Sequence, residues 1–558
     1  MSEERPWLKN YPKGVPANID AEKFLNVVEM LEGCFKKYND LVAFSNMGKD
    51  LTYGQLDTLS KQFGAYLIYR GLQPGDKIAL MMPNLLQYPI ALFGALRAGI
   101  IVVNTNPLYT PREMKHQFTD AGVKAIVIAE NYAANLEKII DTTSIKTVIV
   151  TPLGEMLGAV KGLVTNLVVK YVKKMIPKYD LKNIVSFKQA LSEGKTQELD
   201  VHYGQPNDTI LIQYTGGTTG VAKGAELTNR NLVSNMQQVG GFLFQFLEEG
   251  KEVALSPLPM YHIFAFTVHA LALLSVGTKN VLVTNPRDLP SVIKEFNKKE
   301  PITLMTGVNT LFNALTSHPD FATANFASLK FAVGGGMAVQ RPVAERFEKV
   351  TGAKLIEGYG MTESSPVASC NPIDGTDKIG SIGMPLPSTE LRIIDEDGNV
   401  LAQGQVGEIQ IKGPQVMKGY YNRPEATAET IKNGWLCTGD IGQMDENGFF
   451  KIVDRKKDMI LVSGFNVYPN EIEEVLASHP KISEVAAIGV PDPKSTEAVK
   501  VFIVKSDKSL TKEEVKAFCA ENMTGYKKPK HIAFREELPK TNVGKILRRA
   551  LKEEEAKK

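Results

Sequence analysis

The sequence predicts an α/β protein: a large N-terminal domain of helix-covered sheets carrying a small β-barrel element, then a smaller, mobile α+β C-terminal domain. Three observations predict it. Between about residues 77 and 360, short β-rich runs alternate with longer helical patterns, which argues for parallel sheets covered by helices. The runs are 77–82, 100–104, 125–129, 147–150, 209–213, 280–284 and 331–333. Residues 380–425 are instead rich in Gly and Pro, with short alternating strands such as 408–411, and predict the small β element. Finally, the charged run Asp454-Arg455-Lys456-Lys457-Asp458 precedes a segment with its own strands (484–490, 499–504) and a charged helix near 511–522.

A chain of 558 residues exceeds the size at which one core keeps growing. The expected organisation is a large N-terminal domain over 1–454, a hinge at 455–458 and a smaller C-terminal domain over 459–558. A charge run is also what an ordinary solvated turn looks like, so the run marks a boundary without proving a function.

Bulk properties exclude several classes. Hydrophobic residues make up 43% and charged residues 23%, a globular composition. Net charge is +3 with Lys and Arg spread along the chain, so nucleic acid is not the expected partner. Cys34, Cys370, Cys437 and Cys519 lie far apart, which suggests neither zinc nor a disulfide framework. The first ten residues carry no apolar signal region, and the longest apolar run, 263–276, is too short to span a bilayer. A cytoplasmic location follows, with any membrane contact peripheral. One segment bears on that contact. In 156–172 the apolar residues recur at helical spacing, with Lys161, Lys170 and Lys173 around them. Two readings stand: a helix packed on the protein's own core, or a basic amphipathic helix lying on an anionic membrane surface.

The strongest chemical signal is Tyr214-Thr215-Gly216-Gly217-Thr218-Thr219-Gly220-Val221-Ala222-Lys223-Gly224, directly after the strand expected at 209–213. Closely spaced glycines let backbone N–H groups approach an anion, threonine hydroxyls add donors, and Lys223 adds charge, which together make a phosphate cradle. Ala222 stands where a Walker A loop requires Gly, so P-loop ATPase and kinase readings lose ground. In Gly358-Tyr359-Gly360-Met361-Thr362-Glu363 an aromatic, a hydroxyl and a carboxylate cluster. The ring suits stacking on a purine, and the carboxylate beside a hydroxyl suits oxygen-liganded Mg²⁺.

With these stretches, residues 82–89, 106–112, 257–264, 433–440, 452–458, 463–473 and 539–545 complete an ordered series. Through them the chain resembles the adenylate-forming superfamily of acyl-CoA synthetases, adenylation domains and luciferases, and over nearly its whole length the bacterial long-chain fatty-acid CoA ligases. The resemblance implies ATP-dependent activation of a long-chain fatty acid to acyl-CoA through an acyl-adenylate, with release of AMP and pyrophosphate. It implies that residues 215–223 hold the triphosphate, that Tyr359 stacks on adenine near Gly335, and that Thr362 and Glu363 meet the α-phosphate and Mg²⁺, with Thr215 as a second metal ligand. Asp440 would accept from the ribose hydroxyls with Arg455 assisting, Lys545 would reach the carboxylate and α-phosphate, Lys457 would be the hinge, and Gly464 would line the coenzyme A tunnel. His262 would border the acyl carboxylate and Phe266 would gate an acyl tunnel; the alternative reading of each is a packed core residue. Related enzymes further suggest a homodimer.

Four features depart from close relatives or weigh on rivals. Cys437 replaces a usual His and Thr496 a frequent Gly, neither at an expected catalytic atom. An adenylation domain serving a carrier protein is disfavoured because no carrier module follows Lys558. A lipid-binding protein with a dead nucleotide site is disfavoured because Glu363, Asp440 and Lys545 are intact.

Overall fold

The computed structural model describes residues 5–20, 22–215, 222–463, 465–493, 495–541 and 544–557. Two large sheets form the N-terminal body. The first is eight-stranded, in the spatial order Gly419–Tyr420, Lys223–Thr228, Thr209–Thr215, Ile101–Asn104, Lys77–Met81, Ala125–Ala129, Thr147–Thr151, Ile184–Ser186. Its pairings from Thr209–Thr215 to Ile184–Ser186 are parallel. The segment Ala125–Ala129 is buried throughout, as a strand covered on both faces must be. Only the hairpin Thr209–Thr215/Lys223–Thr228 and the short strand Gly419–Tyr420 run antiparallel.

The second sheet is nine-stranded and runs from Met384–Pro385 through Lys354–Gly360, Phe331–Gly334 and Val253–Ser256 to Lys49–Thr52. The apolar run expected to be a buried helix becomes Ile263–Ala265, a π-helical stretch Phe266–Ala272 and a final turn Leu274–Val276, packed on the helix Asn229–Leu243. Its single histidine is pinned to the sheet: His269 Nδ1 lies 2.8 Å from Asn280 Oδ1 and Nε2 lies 2.8 Å from Thr306 Oγ1. Burial pushes this imidazole down to about 4, so it sits there neutral.

The expected β-barrel element is a half-barrel. Strands Glu390–Ile394, Gly407–Lys412, Trp435–Met444 and Ile431–Lys432 pair in that order, and Phe450–Arg455 adds to Trp435–Met444. Beyond it, Ile460–Val462, Phe465–Val467, Ile482–Asp492, Thr496–Lys505 and His531–Arg535 form a separate sheet. This sheet has its own core of Ile460, Val467, Ile472, Val485, Val501 and Val515.

Segment 156–172 departs from the core-packing reading. Gly158 turns the chain at φ +90°, so the helix starts only at Ala159–Leu167 and continues as a π-helix Val168–Val172. Met156 and Leu157 precede it and pack inward, whereas Val160 (79%), Leu163 (62%), Tyr171 (64%) and Val172 (69%) face solvent. The helix is held through its small residues: Gly154 donates its N–H to Asn166 Oδ1 at 2.8 Å, and a Cβ on Gly162 would meet the Gly154 carbonyl at 2.4 Å. Among the described residues no helix is long and apolar enough to cross a membrane.

Candidate active site

The site assembles where the two large sheets, the half-barrel and the C-terminal sheet meet. Strand Lys354–Gly360 delivers Gly358, Tyr359 and Gly360, and a short turn Thr362–Ser364 follows with Thr362 and Glu363. Gly360 is obligatory, since a Cβ there would meet the Pro366 carbonyl at 1.9 Å. Gly335 is similarly tight, with the Phe264 ring 2.9 Å and the Gly358 carbonyl 3.3 Å from a built Cβ. Buried Tyr359 donates its hydroxyl to Asp440 Oδ2 at 2.7 Å. Asp440 and Arg455 are direct cross-strand partners in the half-barrel, with Arg455 Nε 3.4 Å from Asp440 Oδ1. An aromatic face, a carboxylate and a guanidinium thus converge, as nucleoside recognition requires.

Of the expected phosphate cradle, Thr215 and Lys223 form a cross-strand pair, with Thr215 Oγ1 donating to the Lys223 carbonyl at 3.5 Å. Gly216, Gly217, Thr218, Thr219 and Gly220 lie outside the described residues, as does Gly464. The stem is braced from outside the motif: Tyr214 donates to Asp120 Oδ2 at 2.6 Å, Arg423 donates to Asp120 Oδ1 at 2.6 Å, and His116 Nε2 lies 3.0 Å from the Ala222 carbonyl.

Glu363 is buried, and burial raises its carboxyl while the Tyr420 hydroxyl, donating at 2.7 Å, and Lys223 oppose that shift. Among the described residues no cluster of three or more His, Cys, Asp and Glu could hold a metal by itself. One carboxylate beside hydroxyl oxygens nevertheless fits Mg²⁺, which keeps waters and phosphate oxygens in most of its positions.

Lys545 reaches this pocket from the C-terminal sheet. Its hairpin is closed by Thr541 N donating to the Lys545 carbonyl at 2.7 Å, and it touches the N-terminal body where Thr310 Oγ1 donates to the Gly544 carbonyl at 3.0 Å. Burial, then Arg455, push the Lys545 amine down to about 7 against the opposing pull of Asp440. His262 is half-buried, and desolvation with Lys545 nearby lowers it to about 4. Its Nδ1 accepts from Phe264 N at 3.4 Å, which leaves Nε2 as the donor of a neutral ring. Phe266 is fully buried one turn on, its N–H donating to the His262 carbonyl at 3.0 Å. Lys457 lies in the turn after Arg455, its carbonyl 3.5 Å from Lys552 Nζ. Sequence reasoning missed Tyr420, Asp120, Arg423 and His116, and also Glu357, whose carboxyl is raised to about 8 by burial and accepts from Val339 N at 3.1 Å. Of these, Tyr420 alone carried a local signal, the Gly-Tyr-Tyr step at 419–421.

The site joins an aromatic ring, a carboxylate and a guanidinium on one body to a lysine brought in beside the C-terminal sheet, and its likeness to known proteins gives the class: an enzyme that activates acids with ATP. The chain belongs to the AMP-binding enzyme family: residues 31–421 match the AMP-binding enzyme, and residues 471–545 its C-terminal domain. It is 54% identical to a long-chain-fatty-acid–CoA ligase of Yersinia pestis, with 99% of each chain covered. It is 39% identical to one from Bacillus subtilis, with 100% of this chain and 99% of that one covered. Among solved structures, ATP-bound MatB of Rhodopseudomonas palustris superposes with a TM-score of 0.79 at 26% identity, covering 95% of this chain and 99% of that one. The anthranilate CoA ligase AuaEII in complex with anthranoyl-AMP shares the fold at a TM-score of 0.86 and 23% identity, covering 96% and 99%.

Proposed function

We propose that this protein is an AMP-forming ligase that activates long-chain fatty acids as acyl-adenylates and transfers the acyl group to coenzyme A. The observation that carries this reading is Lys545, brought from beside the C-terminal sheet towards Asp440, Arg455 and His262 in a chain so similar to such ligases over its full length.

A carboxylate is a poor nucleophile toward a polyanionic triphosphate, so the first step needs positive charge fixed at the α-phosphate. Lys545 supplies it, taking up a proton as the anionic substrates enter. Tyr359 stacks on adenine beside Gly335, and Asp440 with Arg455 holds the ribose. Residues 215–223 hold the β- and γ-phosphates, with Thr362 at the α-phosphate. Thr215 and Glu363 would hold Mg²⁺, which would supply positive charge at the phosphates. Neutral His262 offers a hydrogen bond to the acyl carboxylate without repelling Lys545, and Phe266 closes the acyl side. In the second step the coenzyme A thiol attacks the mixed anhydride and displaces AMP, so no protein nucleophile is needed. Because Lys545 fills the site in the first step, the C-terminal unit, 459–558, turns about 455–458 to admit the thiol past Gly464.

The test is substrate discrimination: pyrophosphate formation with oleate, octanoate, ferulate and malonate at equal concentration. Oleate should lead; preference for ferulate or malonate would overturn the substrate class.

A second reading concerns location. We place the protein at the cytoplasmic face of a membrane, docked by the helix Ala159–Leu167 and its continuation. Support comes from its exposed apolar side chains together with exposed Lys161, Lys170, Lys173, Lys174 and Lys178, with no acidic residue from 156 to 179. A homodimer, carried by the resemblance, is checked by light scattering.

A further inference from the structure

One side chain outside every motif touches two residues at the phosphate end of the site. Tyr420 lies on the two-residue strand Gly419–Tyr420, which crosses the phosphate hairpin antiparallel and pairs Tyr420 with Ala225. Its hydroxyl donates to Glu363 Oε1 at 2.7 Å, and the Lys223 ammonium sits 4.2 Å from the centre of its ring. We propose that Tyr420 is a positioning residue for metal-bound triphosphate: its hydroxyl aims the Glu363 carboxylate at the divalent cation, while its ring seats the ammonium of Lys223. The proposal rests on the roles given above to Glu363 and Lys223.

The strand is fixed on both sides, so the ring is a rigid spacer between the two groups. Met417 N donates to the Glu363 carbonyl at 2.8 Å, tying the strand to the turn that carries the carboxylate. Lys418 N donates to the Glu226 carbonyl at 3.1 Å and Tyr421 N to the Gly224 carbonyl at 2.8 Å, tying it to the phosphate hairpin. Tyr420 N is held by Thr427 Oγ1 at 2.8 Å, and Arg423 pairs with the same Asp120 that receives the Tyr214 hydroxyl.

With Oε1 committed to the phenol, the carboxylate offers its other oxygen to the cation, which suits a small ion that takes few protein ligands. The ring face attracts Lys223 through its quadrupole and draws the ammonium to one place without neutralising it. One tyrosine therefore couples the cation ligand to the phosphate-binding charge, two groups that lie 140 positions apart in the chain.

A tyrosine that merely fills space would be replaced by phenylalanine without consequence, so Tyr420→Phe decides between the two roles. Mn²⁺ binding to the protein with a non-hydrolysable ATP analogue, read by electron paramagnetic resonance, is the first readout; analogue binding in EDTA is the second. Tyr420→Phe should weaken Mn²⁺ by roughly tenfold or more, as loss of an outer-shell partner does, and leave binding in EDTA unchanged. Tyr420→Leu, which removes the ring as well, should also weaken the analogue in EDTA by about three- to tenfold. Thermal melting of both variants monitors folding, and Glu363→Gln serves as the control. If Glu363→Gln loses Mn²⁺ while Tyr420→Phe binds it as the parent does, the positioning role is wrong. If Glu363→Gln itself keeps Mn²⁺, the metal assignment of Glu363 falls and the proposal with it.

Discussion

The role proposed for Lys545 makes adenylation pH-dependent in a calculable way. Its amine is pushed down to about 7 by burial and by the cations around it. Only the charged form can meet the substrates' anions, so kcat/KM for the first half-reaction follows the protonated fraction of the free enzyme. With a pKa of about 7 that fraction falls from about one half at pH 7 to about 3% at pH 8.5, a loss of about 15-fold. His262, at about 4, is already neutral over this interval and adds nothing to the slope. The assay is pyrophosphate release with fatty acid and ATP and without coenzyme A, which keeps the thiol's own titration out of the measurement. Lys545→Ala should lower the rate by roughly 100-fold or more, as loss of one preorganised charge does, and the residue that remains should lose the decline above pH 7. Transfer from pre-made acyl-AMP to coenzyme A should be affected much less. A parent profile that is flat to pH 9, or equal losses in both half-reactions, would refute the role.

Other outcomes follow from the same geometry. Phe266→Ala should change the acyl-length profile or increase adenylate leakage while leaving ATP affinity unchanged; an unchanged profile makes it a plain core residue, at a cavity cost of roughly 3–5 kcal/mol. Replacing Lys161, Lys170 and Lys173 by Glu should weaken sedimentation with anionic vesicles and remove its salt sensitivity, whereas unaltered binding would remove the helix from any membrane role. Lys457→Pro, which fixes φ near about −65° and removes an N–H, should retain pyrophosphate release but lose acyl-CoA formation from added acyl-AMP; transfer at the parent rate would refute turning at this position.

Much of the fold was legible because its signals are local. The strands at 125–129 and 147–151 are unbroken β-rich runs, and a buried parallel strand has no other pattern to show. The motif residues Tyr359, Glu363, Asp440 and Lys545 were legible as residue types in order along the chain. What holds them was not: Tyr420 meets Glu363 across 57 positions and Arg423 meets Asp120 across 303, and contacts of that span leave no period. The segment 156–172 marks a different limit. Helical spacing reveals an apolar face but not what lies opposite it, and here it points outward. Likewise the shifts at Lys545 and His262 arise from burial that only the assembled sheets create.

The central claim is that one site first makes an acyl-adenylate and then a thioester. Oleate, ATP and Mg²⁺ incubated with a stoichiometric amount of the protein, with the products separated by mass spectrometry, test it most directly. Without coenzyme A the account predicts one pyrophosphate per site and protein-bound oleoyl-AMP; on adding coenzyme A, oleoyl-CoA and AMP should appear together. ADP and phosphate in place of AMP and pyrophosphate, or oleoyl-AMP that coenzyme A does not discharge, would contradict it.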